Sequence, residues 1–430
     1  MDIAVIGLGK LGAPLAAVLA SRGHNVVGVD LNPTPVAAIN AGRAPVDEPG
    51  LQATIDAAGR HLRATSDFAE AIVATDISFV IVPTPSGPDG QFQNRYVLDA
   101  MRRIGAALRT TSRYHVVNIT STVMPGSTGG EIRQALEAAS GRVVGDALGL
   151  TYNPEFIALG SVIRDLLHPD MLLIGESDAR AGDLLEAVYR TTVNGNPPVQ
   201  RMGWVNAELT KIAVNTFVTT KISYANMLAE ICEKLPGADA AVVAAALGKD
   251  SRIGSKYLQA ALGYGGPCFP RDNVALAALA DALGASADVA RATDTVNRRQ
   301  VARVVDLVAR LARGQPATVA VLGMAYKPDT SVVDESQGVL IARGLSAAGH
   351  TVLIADPLAL ENASVVLGDS VTPFGTAATA VAAAAIVVIA TPDRAFAQLP
   401  ATCFAPGVII VDCWRILPPG IADIVYLGKG

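Results

Sequence analysis

The sequence predicts an α/β protein with two Rossmann-like, doubly wound domains joined by a central helical region that contains a long helix. The 430 residues are too many for a single hydrophobic core. Short β-type runs alternate with helical stretches near both ends of the chain, whereas the middle has helical composition without such runs. We therefore expect three domains, over residues 1–195, 196–300 and 301–430.

Composition excludes several classes of partner. Hydrophobic residues make up 50% of the chain, charged residues 17%, and the formal net charge is −5, which argues against binding to nucleic acid or to an anionic membrane. The longer apolar runs, such as Ala377–Ala390, are shorter than a bilayer span. The four cysteines are scattered without metal-ligand spacing. We expect a soluble cytoplasmic protein with reduced thiols and no metal.

The N-terminus carries a dinucleotide-binding pattern. A β-type run at Ile3–Ile6 leads into Gly7-Leu8-Gly9-Lys10-Leu11-Gly12, a helical stretch follows, and a second run at Asn25–Val29 ends at Asp30. The glycines allow a tight turn and close approach of a pyrophosphate to the helix N-terminus. Asp30 could hold the adenine-ribose hydroxyls and would repel a 2′-phosphate, which favours NAD over NADP. An α/β turn without a cofactor is the alternative.

Two later loops of the same domain are further candidates for cofactor contact. Apolar runs at Ile77–Val82, His115–Ile119 and Leu148–Tyr152 continue the alternation. Thr84-Pro85 and Ser121-Thr122 follow the first two runs, at the sheet edge where such folds bind ligands. Taken alone, both are ordinary turns.

The pattern begins again near the C-terminus. A run at Thr318–Leu322 reaches Gly323, a helix follows around Val339–Ala348, and a second run at Thr351–Ala355 ends at Asp356. Later runs at Ile386–Ile389 and Gly407–Val411 extend the sheet. This arrangement predicts a second nucleotide-type domain.

The central helical segment, from about Met202 to Leu235, is apolar almost all round, which predicts burial of residues such as Phe217. A polar stripe nevertheless runs along it at intervals of three or four residues: Glu208, Lys211, Asn215, Thr219, Ser223 and Asn226. The stripe either meets solvent or a subunit seam, or it lines a site. The length of the helix suggests a homodimer built around it.

A glycine-rich loop, Gly263-Tyr264-Gly265-Gly266-Pro267-Cys268, holds the candidate nucleophile. Asp272 lies four residues beyond Cys268, and basic residues are nearby in sequence. A thiolate favoured by such surroundings can attack an aldehyde. A lone cysteine is otherwise most often a buried hydrophobe.

In order along the chain, these motifs resemble those of the nucleotide-sugar 6-dehydrogenase family, which includes UDP-glucose and GDP-mannose 6-dehydrogenases. The resemblance is carried by the glycine fingerprint, Thr84-Pro85, Ser121-Thr122-Val123, Asn153-Pro154-Glu155-Phe156, the Glu208/Lys211/Asn215 helix, the loop around Cys268, and Gly323-x-x-Tyr326-Lys327.

The resemblance implies an NAD-dependent, four-electron oxidation of a nucleotide sugar at C6 through a thiohemiacetal and a thioester on Cys268. The catalytic residues it implies are Cys268, Lys211, Asp272, Glu155, Asn215 and Thr122. The cofactor contacts are Gly7, Leu8, Gly9, Lys10, Leu11, Gly12, Asp30, Thr84, Pro85, Ser121 and Thr122. The substrate contacts are Glu155, Phe156, Lys211, Asn215, Arg252, Gln259, Tyr264, Gly265, Tyr326, Lys327 and Arg415, and the counterpart of Arg252 can reach into a partner subunit.

The sequence departs from the commoner family pattern at three positions. Asp334 stands where relatives have an arginine, Leu159 where many have an acid, and Pro35 where some have a basic residue. UDP-glucose is the expected substrate, and a GDP-hexose, a dTDP-hexose or an N-acetylated nucleotide sugar is the alternative. A two-electron 3-hydroxyacid dehydrogenase and a non-catalytic nucleotide-sugar sensor also remain open.

Overall fold

A computed structural model describes residues 1–418, 420–421 and 423–430, and the chain divides into unit 1, Met1–Ala213, and unit 2, Val214–Gly430. The boundary falls inside the longest described helix, Trp204–Cys232.

Among the described residues, unit 1 contains eight strands and nine α-helices, the last of which crosses into unit 2. The strands are β1 Asp2–Ile6, β2 Asn25–Val29, β3 Leu62–Thr65, β4 Ile77–Val80, β5 His115–Ile119, β6 Leu148–Tyr152, β7 Leu172–Glu176 and β8 Val199–Met202. The helices are α1 Gly12–Ser21, α2 Pro33–Asn40, α3 Leu51–Ala58, α4 Phe68–Val73, α5 Arg95–Leu108, α6 Arg133–Ser140, α7 Val162–Leu167, α8 Ala179–Thr192 and α9 Trp204–Cys232.

The sheet of unit 1 has the order β3-β2-β1-β4-β5-β6-β7-β8. Its pairs are parallel except β6 with β7, which run antiparallel. Both faces are covered, since Ile3 and Val5 of β1 pack into one hydrophobic cluster and Ala4 and Ile6 into another. The order reverses between β1 and β4, which is where doubly wound sheets bind ligands.

Unit 2 adds helices and a second sheet. Its strands are β9 Thr318–Leu322, β10 Thr351–Ala355, β11 Thr372–Pro373, β12 Ile386–Ile389, β13 Ile409–Asp412 and β14 Asp423–Tyr426. Its further helices are α10 Ala240–Leu247, α11 Phe269–Ala282, α12 Asp288–Leu311, α13 Gln337–Ala347, α14 Leu360–Leu367, α15 Ala377–Ala382 and α16 Arg394–Ala397.

The second sheet repeats the strand order of the first. Its order is β11-β10-β9-β12-β13-β14, all parallel, and its first strand again packs alternate residues into two clusters. The predicted fold class, two doubly wound sheets with a long central helix, is confirmed.

The predicted β-type runs end within two residues of the observed strands. The apolar run Ala377–Ala390 is not one element but α15 followed by β12, because its first half is alanine-rich and its second half β-branched. The predicted burial of Phe217 is wrong, since 68% of it is exposed. Among the described residues, no helix has the length and apolar composition that a membrane span requires.

Candidate active site

The glycine loop after β1 is shaped by contacts that leave no room for side chains. Gly7 has a φ of +98°, and a Cβ there would lie 2.4 Å from the carbonyl oxygen of Ile81. A Cβ at Gly12 would lie 1.9 Å from the carbonyl oxygen of Gly7. Gly9 is exposed, and nothing lies within 4 Å of its Cβ position. Two glycines therefore pack the turn, and the third leaves space for a ligand.

Asp30 follows β2 and lies against the glycine loop. Its carboxylate accepts hydrogen bonds from the backbone amides of Leu8 and Asn32, both at 2.8 Å. Leu8 is buried and Lys10 is exposed, so the loop offers backbone rather than apolar surface to the crevice. Each oxygen of Asp30 retains acceptor capacity for a ribose hydroxyl. These features fit a dinucleotide without a 2′-phosphate.

The hydroxyls of Thr84 and Ser121 bind backbone of the neighbouring loop. The Ser121 hydroxyl accepts from the amide of Val82 at 2.9 Å and donates to its carbonyl oxygen at 2.7 Å. Thr84 donates to the carbonyl oxygen of Thr122 at 2.7 Å. The two side chains thus connect the β4 and β5 loops, while Pro85 and Thr122 are half-buried. Cofactor contact by this group stays a prediction.

Glu155 lies beyond the end of β6, next to the N-terminal part of α9. The Lys211 ammonium donates to the carbonyl oxygen of Glu155 at 2.7 Å and lies 4.7 Å from the centre of the Phe156 ring. Burial raises the pKa of Glu155 to about 7, although a hydrogen bond from Tyr189 and the charge of Lys211 lower it. A carboxyl group with such a pKa can exchange a proton near neutral pH.

Two residues that support Glu155 and the segment after it were not predicted from the sequence. The Tyr189 hydroxyl lies against both Asn153 and Glu155. The segment after Glu155 is anchored by buried Glu48, which accepts from the amides of Gly160 and Val162, both at 2.8 Å. Tyr189 and Glu48 are distant from Glu155 in sequence, so no periodicity or motif pointed to them.

Cys268 occupies the N-cap position of α11, and its side chain is exposed. The N-terminus of a helix favours negative charge, so this position stabilises a thiolate. Asp272 is in the first turn of α11, is 1% exposed, and accepts a 2.6 Å hydrogen bond from the amide of Asn215. Unit 2 therefore brings together the predicted nucleophile, acid and amide.

The loop before Cys268 is fixed by two buried asparagines. Asn226 on α9 donates to the carbonyl oxygen of Leu262 at 2.9 Å and accepts from the amide of Ala261 at 3.0 Å. Asn297 on α12 makes the same pair of bonds with the amide and carbonyl of Tyr264, at 2.7 and 3.0 Å. The amide side chains thus replace a neighbouring strand as partners for the loop backbone.

The glycines of this loop serve packing. A Cβ at Gly265 would lie 2.3 Å from the carbonyl oxygen of Glu335, and one at Gly266 would lie 2.6 Å from the Tyr326 ring. Tyr264 is buried, with its ring edge-on to Phe269. The variable segment containing Asp334 and Glu335 therefore supports the loop through its backbone, since the carbonyl oxygen of Asp334 also accepts from the amide of Gly266 at 2.9 Å.

The remaining predicted substrate residues differ in their surroundings. The side chain of Arg252 is 85% exposed and paired with Asp250 at 2.6 Å. Gln259 is exposed and Lys327 is half-buried. Arg415 is bound to Asp239 at 2.8 Å and also donates to the carbonyl oxygen of Leu427, so its guanidinium holds the C-terminal segment within unit 2.

The polar stripe of α9 is buried, with each of its six residues at most 8% exposed. Glu208 accepts from the amides of Gly126 and Thr128, and Ser223 donates to the carbonyl oxygen of Thr293. The solvent-facing interpretation is therefore wrong. Lys211 and Asn215 reach candidate catalytic groups, and the other members anchor neighbouring backbone and side chains.

The comparisons with known proteins agree along the chain. Family models of the UDP-glucose/GDP-mannose dehydrogenase family match over residues 1–193 for the NAD-binding domain, 205–299 for the central domain and 320–419 for the UDP-binding domain. UDP-glucose 6-dehydrogenase AglM from Haloferax volcanii is 40% identical over 402 residues, which is 93% of either chain. The chain belongs to this family.

Other members support the assignment. GDP-mannose 6-dehydrogenase from Pseudomonas putida is 35% identical over 360 residues, covering 83% of this chain and 81% of the relative. The solved structure of a UDP-glucose dehydrogenase from Pyrobaculum islandicum aligns with a TM-score of 0.91 at 36% identity, covering all of this chain and 96% of the other. The predicted family, NAD as cofactor and oxidoreductase activity are confirmed, and the division into three domains at residues 195 and 300 stays a prediction.

Proposed function

We propose that this dehydrogenase oxidises the C6 hydroxymethyl group of UDP-glucose to the carboxylate of UDP-glucuronate. The observation that carries the proposal is the cluster in unit 2. Exposed Cys268 is the N-cap of α11, and buried Asp272 in the first turn of that helix is hydrogen-bonded to buried Asn215. A two-electron dehydrogenase or a binding protein has no use for a nucleophile in this position.

The C6 alcohol first loses a hydride and a proton to become an aldehyde, and each of the two oxidations would use one bound NAD as its hydride acceptor. The Cys268 sulfur adds to the C6 aldehyde to form a thiohemiacetal. Loss of a hydride from C6 and of the proton from its hydroxyl then gives a thioester. Water then attacks the thioester carbonyl, which releases the carboxylate and regenerates the thiol. Holding the aldehyde on sulfur keeps it from diffusing away before the second oxidation.

The side chains of unit 1 have the charges that this chemistry requires. Lys211 is a fixed cation that stabilises the oxyanion formed at C6. Glu155, with its pKa raised to about 7, is suited to accept a proton from the alcohol or from the hydrolytic water. Thr122 is half-buried beyond β5 and orients that water. These roles come with the family resemblance, and the local charges support them.

The departures at residues 159 and 334 bear on NAD affinity and on the choice of sugar, whereas the residues of the thiol chemistry, Lys211, Asn215, Cys268 and Asp272, are retained. Leu159 packs against the core of unit 1, and Asp334 serves the loop before Cys268 through its carbonyl group. The similarity to GDP-mannose 6-dehydrogenases keeps a GDP-hexose as the second candidate substrate. A panel of nucleotide sugars with NAD and NADP separates these substrates.

We also propose a homodimer in which α9 packs against its copy. Within unit 2, the exposed side chains of Phe217, Tyr224 and Ile231 lie seven residues apart and are 68%, 48% and 53% exposed. Half-buried Val214 lies three residues before Phe217, and half-buried Leu228 lies four residues after Tyr224 and three before Ile231. This heptad spacing is typical of helices that pair along one apolar stripe, here called the α9 seam.

We expect the protein to act in the cytoplasm.

The decisive experiment counts NADH per sugar. The wild-type enzyme should form two NADH for each uronate, because both oxidations occur on one substrate. Cys268→Ser should lose acid formation by about 10³-fold or more, since an alcohol is a far poorer nucleophile than a thiolate. Cys403→Ser, at a half-buried cysteine in the same unit, is the matched control. A yield of one NADH per sugar, or a full yield of uronate from Cys268→Ser, would contradict the proposal.

A further inference from the structure

A buried tyrosine hydroxyl lies between two acceptors beside Glu155. Tyr189 on α8 is 3% exposed, and its ring packs edge-on to Phe79 with the centroids 6.2 Å apart. Its hydroxyl is 2.5 Å from Oδ1 of Asn153 and 3.0 Å from Oε1 of Glu155. The ring contact and the burial fix the position of this hydroxyl relative to the carboxyl group.

The hydroxyl cannot donate to both acceptors at once, because a phenol has one proton. The orientation of Asn153 is set by its amide nitrogen, which donates to the carbonyl oxygen of Leu173 at 2.9 Å. Its Oδ1 therefore faces Tyr189 as an acceptor only. The proton of Tyr189 goes either to Asn153 or to Glu155.

The charge of Glu155 decides between these two bonds. A hydrogen bond to a carboxylate is about twice as strong as one between neutral groups, so ionised Glu155 attracts the proton of Tyr189. Protonated Glu155 can itself donate to the phenol oxygen, and Tyr189 can then donate to Asn153. In unit 1, the other charged group that faces Glu155 is Lys211, whose ammonium binds the Glu155 carbonyl oxygen at 2.7 Å.

We propose that Tyr189 is a positioning residue, whose hydroxyl orients the Glu155 carboxylate and stabilises its ionised form by switching its hydrogen bond from Asn153 to Glu155. The inference rests on the proposed function, in which Glu155 accepts a proton. In this role Tyr189 acts through the carboxyl group of Glu155 alone.

The electrostatics of the site agree with this geometry. Burial raises the pKa of Glu155 to about 7, and the Tyr189 hydrogen bond and the Lys211 charge restrain the rise. Burial and the neighbouring carboxylate raise the pKa of Tyr189 well above its usual value, so the phenol keeps its proton. Loss of the hydroxyl therefore favours the protonated form of Glu155.

The test measures the titration of Glu155 directly, by infrared spectroscopy of protein labelled with ¹³C-glutamate and with Glu155→Gln to assign the band. Tyr189→Phe should raise the pKa of Glu155 by about one unit, a tenfold change in proton affinity. The acidic limb of the pH–rate profile should move by the same amount, without a change in KM for the nucleotide sugar. Tyr114→Phe, which removes another part-buried hydroxyl of unit 1 near Asp178, should change neither.

An unchanged Glu155 titration in folded Tyr189→Phe overturns the inference. If that variant does not fold, 3-fluorotyrosine at position 189 replaces it. The fluorinated phenol is a stronger donor and should lower the pKa of Glu155, and an unchanged titration again overturns the inference. If the pKa of Glu155 shifts but the pH–rate profile does not, the contact of Tyr189 with Glu155 is supported and Glu155 is not the base. If the wild-type enzyme has no turnover on nucleotide sugars, only the proposed function is contradicted.

Discussion

Glu155 shows how a single residue acquires its chemistry from its surroundings. Glu155 is half-buried, the Tyr189 hydroxyl contacts its carboxyl group from α8, and the Lys211 ammonium binds its carbonyl oxygen from α9. An exposed glutamate is ionised throughout the neutral range. This one is poised between its two forms near pH 7 because burial opposes the charge and its two neighbours favour it.

This environment has a consequence for stability. The folded pKa of Glu155 lies above its unfolded value of 4.5, so the folded protein holds the proton more tightly. The associated stability is fully present below pH 4.5 and is lost as the pH rises through about 7. Glu155→Gln, which mimics the protonated form, should be more stable than wild type by about 3 kcal/mol at pH 8, and the difference should shrink towards pH 5.

The free energy of unfolding is measured with urea at pH 5 and pH 8. Glu137→Gln is the control, because its expected change in stability has the opposite sign. Burial raises the pKa of Glu137, but the hydrogen bond from the Val144 amide and the charge of Arg133 together lower it by more. The pKa of Glu137 in the folded protein therefore lies below 4.5. That carboxylate stabilises the fold at neutral pH, and Glu137→Gln should be less stable than wild type at pH 8. A Glu155→Gln difference that is the same at pH 5 and pH 8 would contradict the argument.

At the scale of elements, the same βαβ unit occurs twice and is used differently. In unit 1, the acid that ends β2, Asp30, accepts two backbone amides. In unit 2, the equivalent acid, Asp356 after β10, accepts four, from Met324, Ala325, Leu358 and Ala359, at 2.6 to 3.0 Å. Asp356 is therefore saturated by its own loop, whereas Asp30 can still accept ligand hydroxyls.

The paired variants Asp30→Ala and Asp356→Ala test this difference. Asp30→Ala should weaken NAD binding by about 10- to 100-fold and leave the affinity for the nucleotide sugar nearly unchanged, because charge-assisted bonds to the ribose are lost. Asp356→Ala should instead lower the free energy of unfolding by about 2–4 kcal/mol with little effect on NAD. Isothermal titration with each ligand and urea unfolding provide the readouts, and NAD affinity that survives Asp30→Ala would remove the cofactor from this loop.

At the scale of the whole molecule, we expect the exposed side chains of Phe217, Tyr224 and Ile231 on α9 to hold the homodimer together. Phe217→Asp combined with Tyr224→Asp places charges where the seam must be dry, so the dimer should dissociate at micromolar concentration. Sedimentation velocity measures the change. Val365→Asp, at a side chain of α14 that is 81% exposed, is the control and should leave the dimer intact. A monomeric wild type, or a dimer that survives both aspartates, would exclude the seam.

The sequence by itself determined the fold class and most of the candidate chemical groups. The glycine fingerprint, the acid at the end of β2 and the cysteine loop are local patterns, in which neighbouring residues must have particular backbone freedom or charge. Strand runs such as Ile386–Ile389 and Thr318–Leu322 were predicted at their observed bounds because strands buried on both faces are nearly continuously apolar.

Only the tertiary structure decided which polar groups support which others. Asn226 and Asn297 hydrogen-bond to the backbone of the loop before Cys268, and Tyr189 hydrogen-bonds to Glu155. In each case the bonded residues are more than 30 positions apart. Their hydrogen bonds depend on direction and burial, which periodicity does not specify. For the same reason Phe217 looked like a core residue: hydrophobicity alone does not distinguish a side chain covered by its own chain from one left exposed on a helix surface.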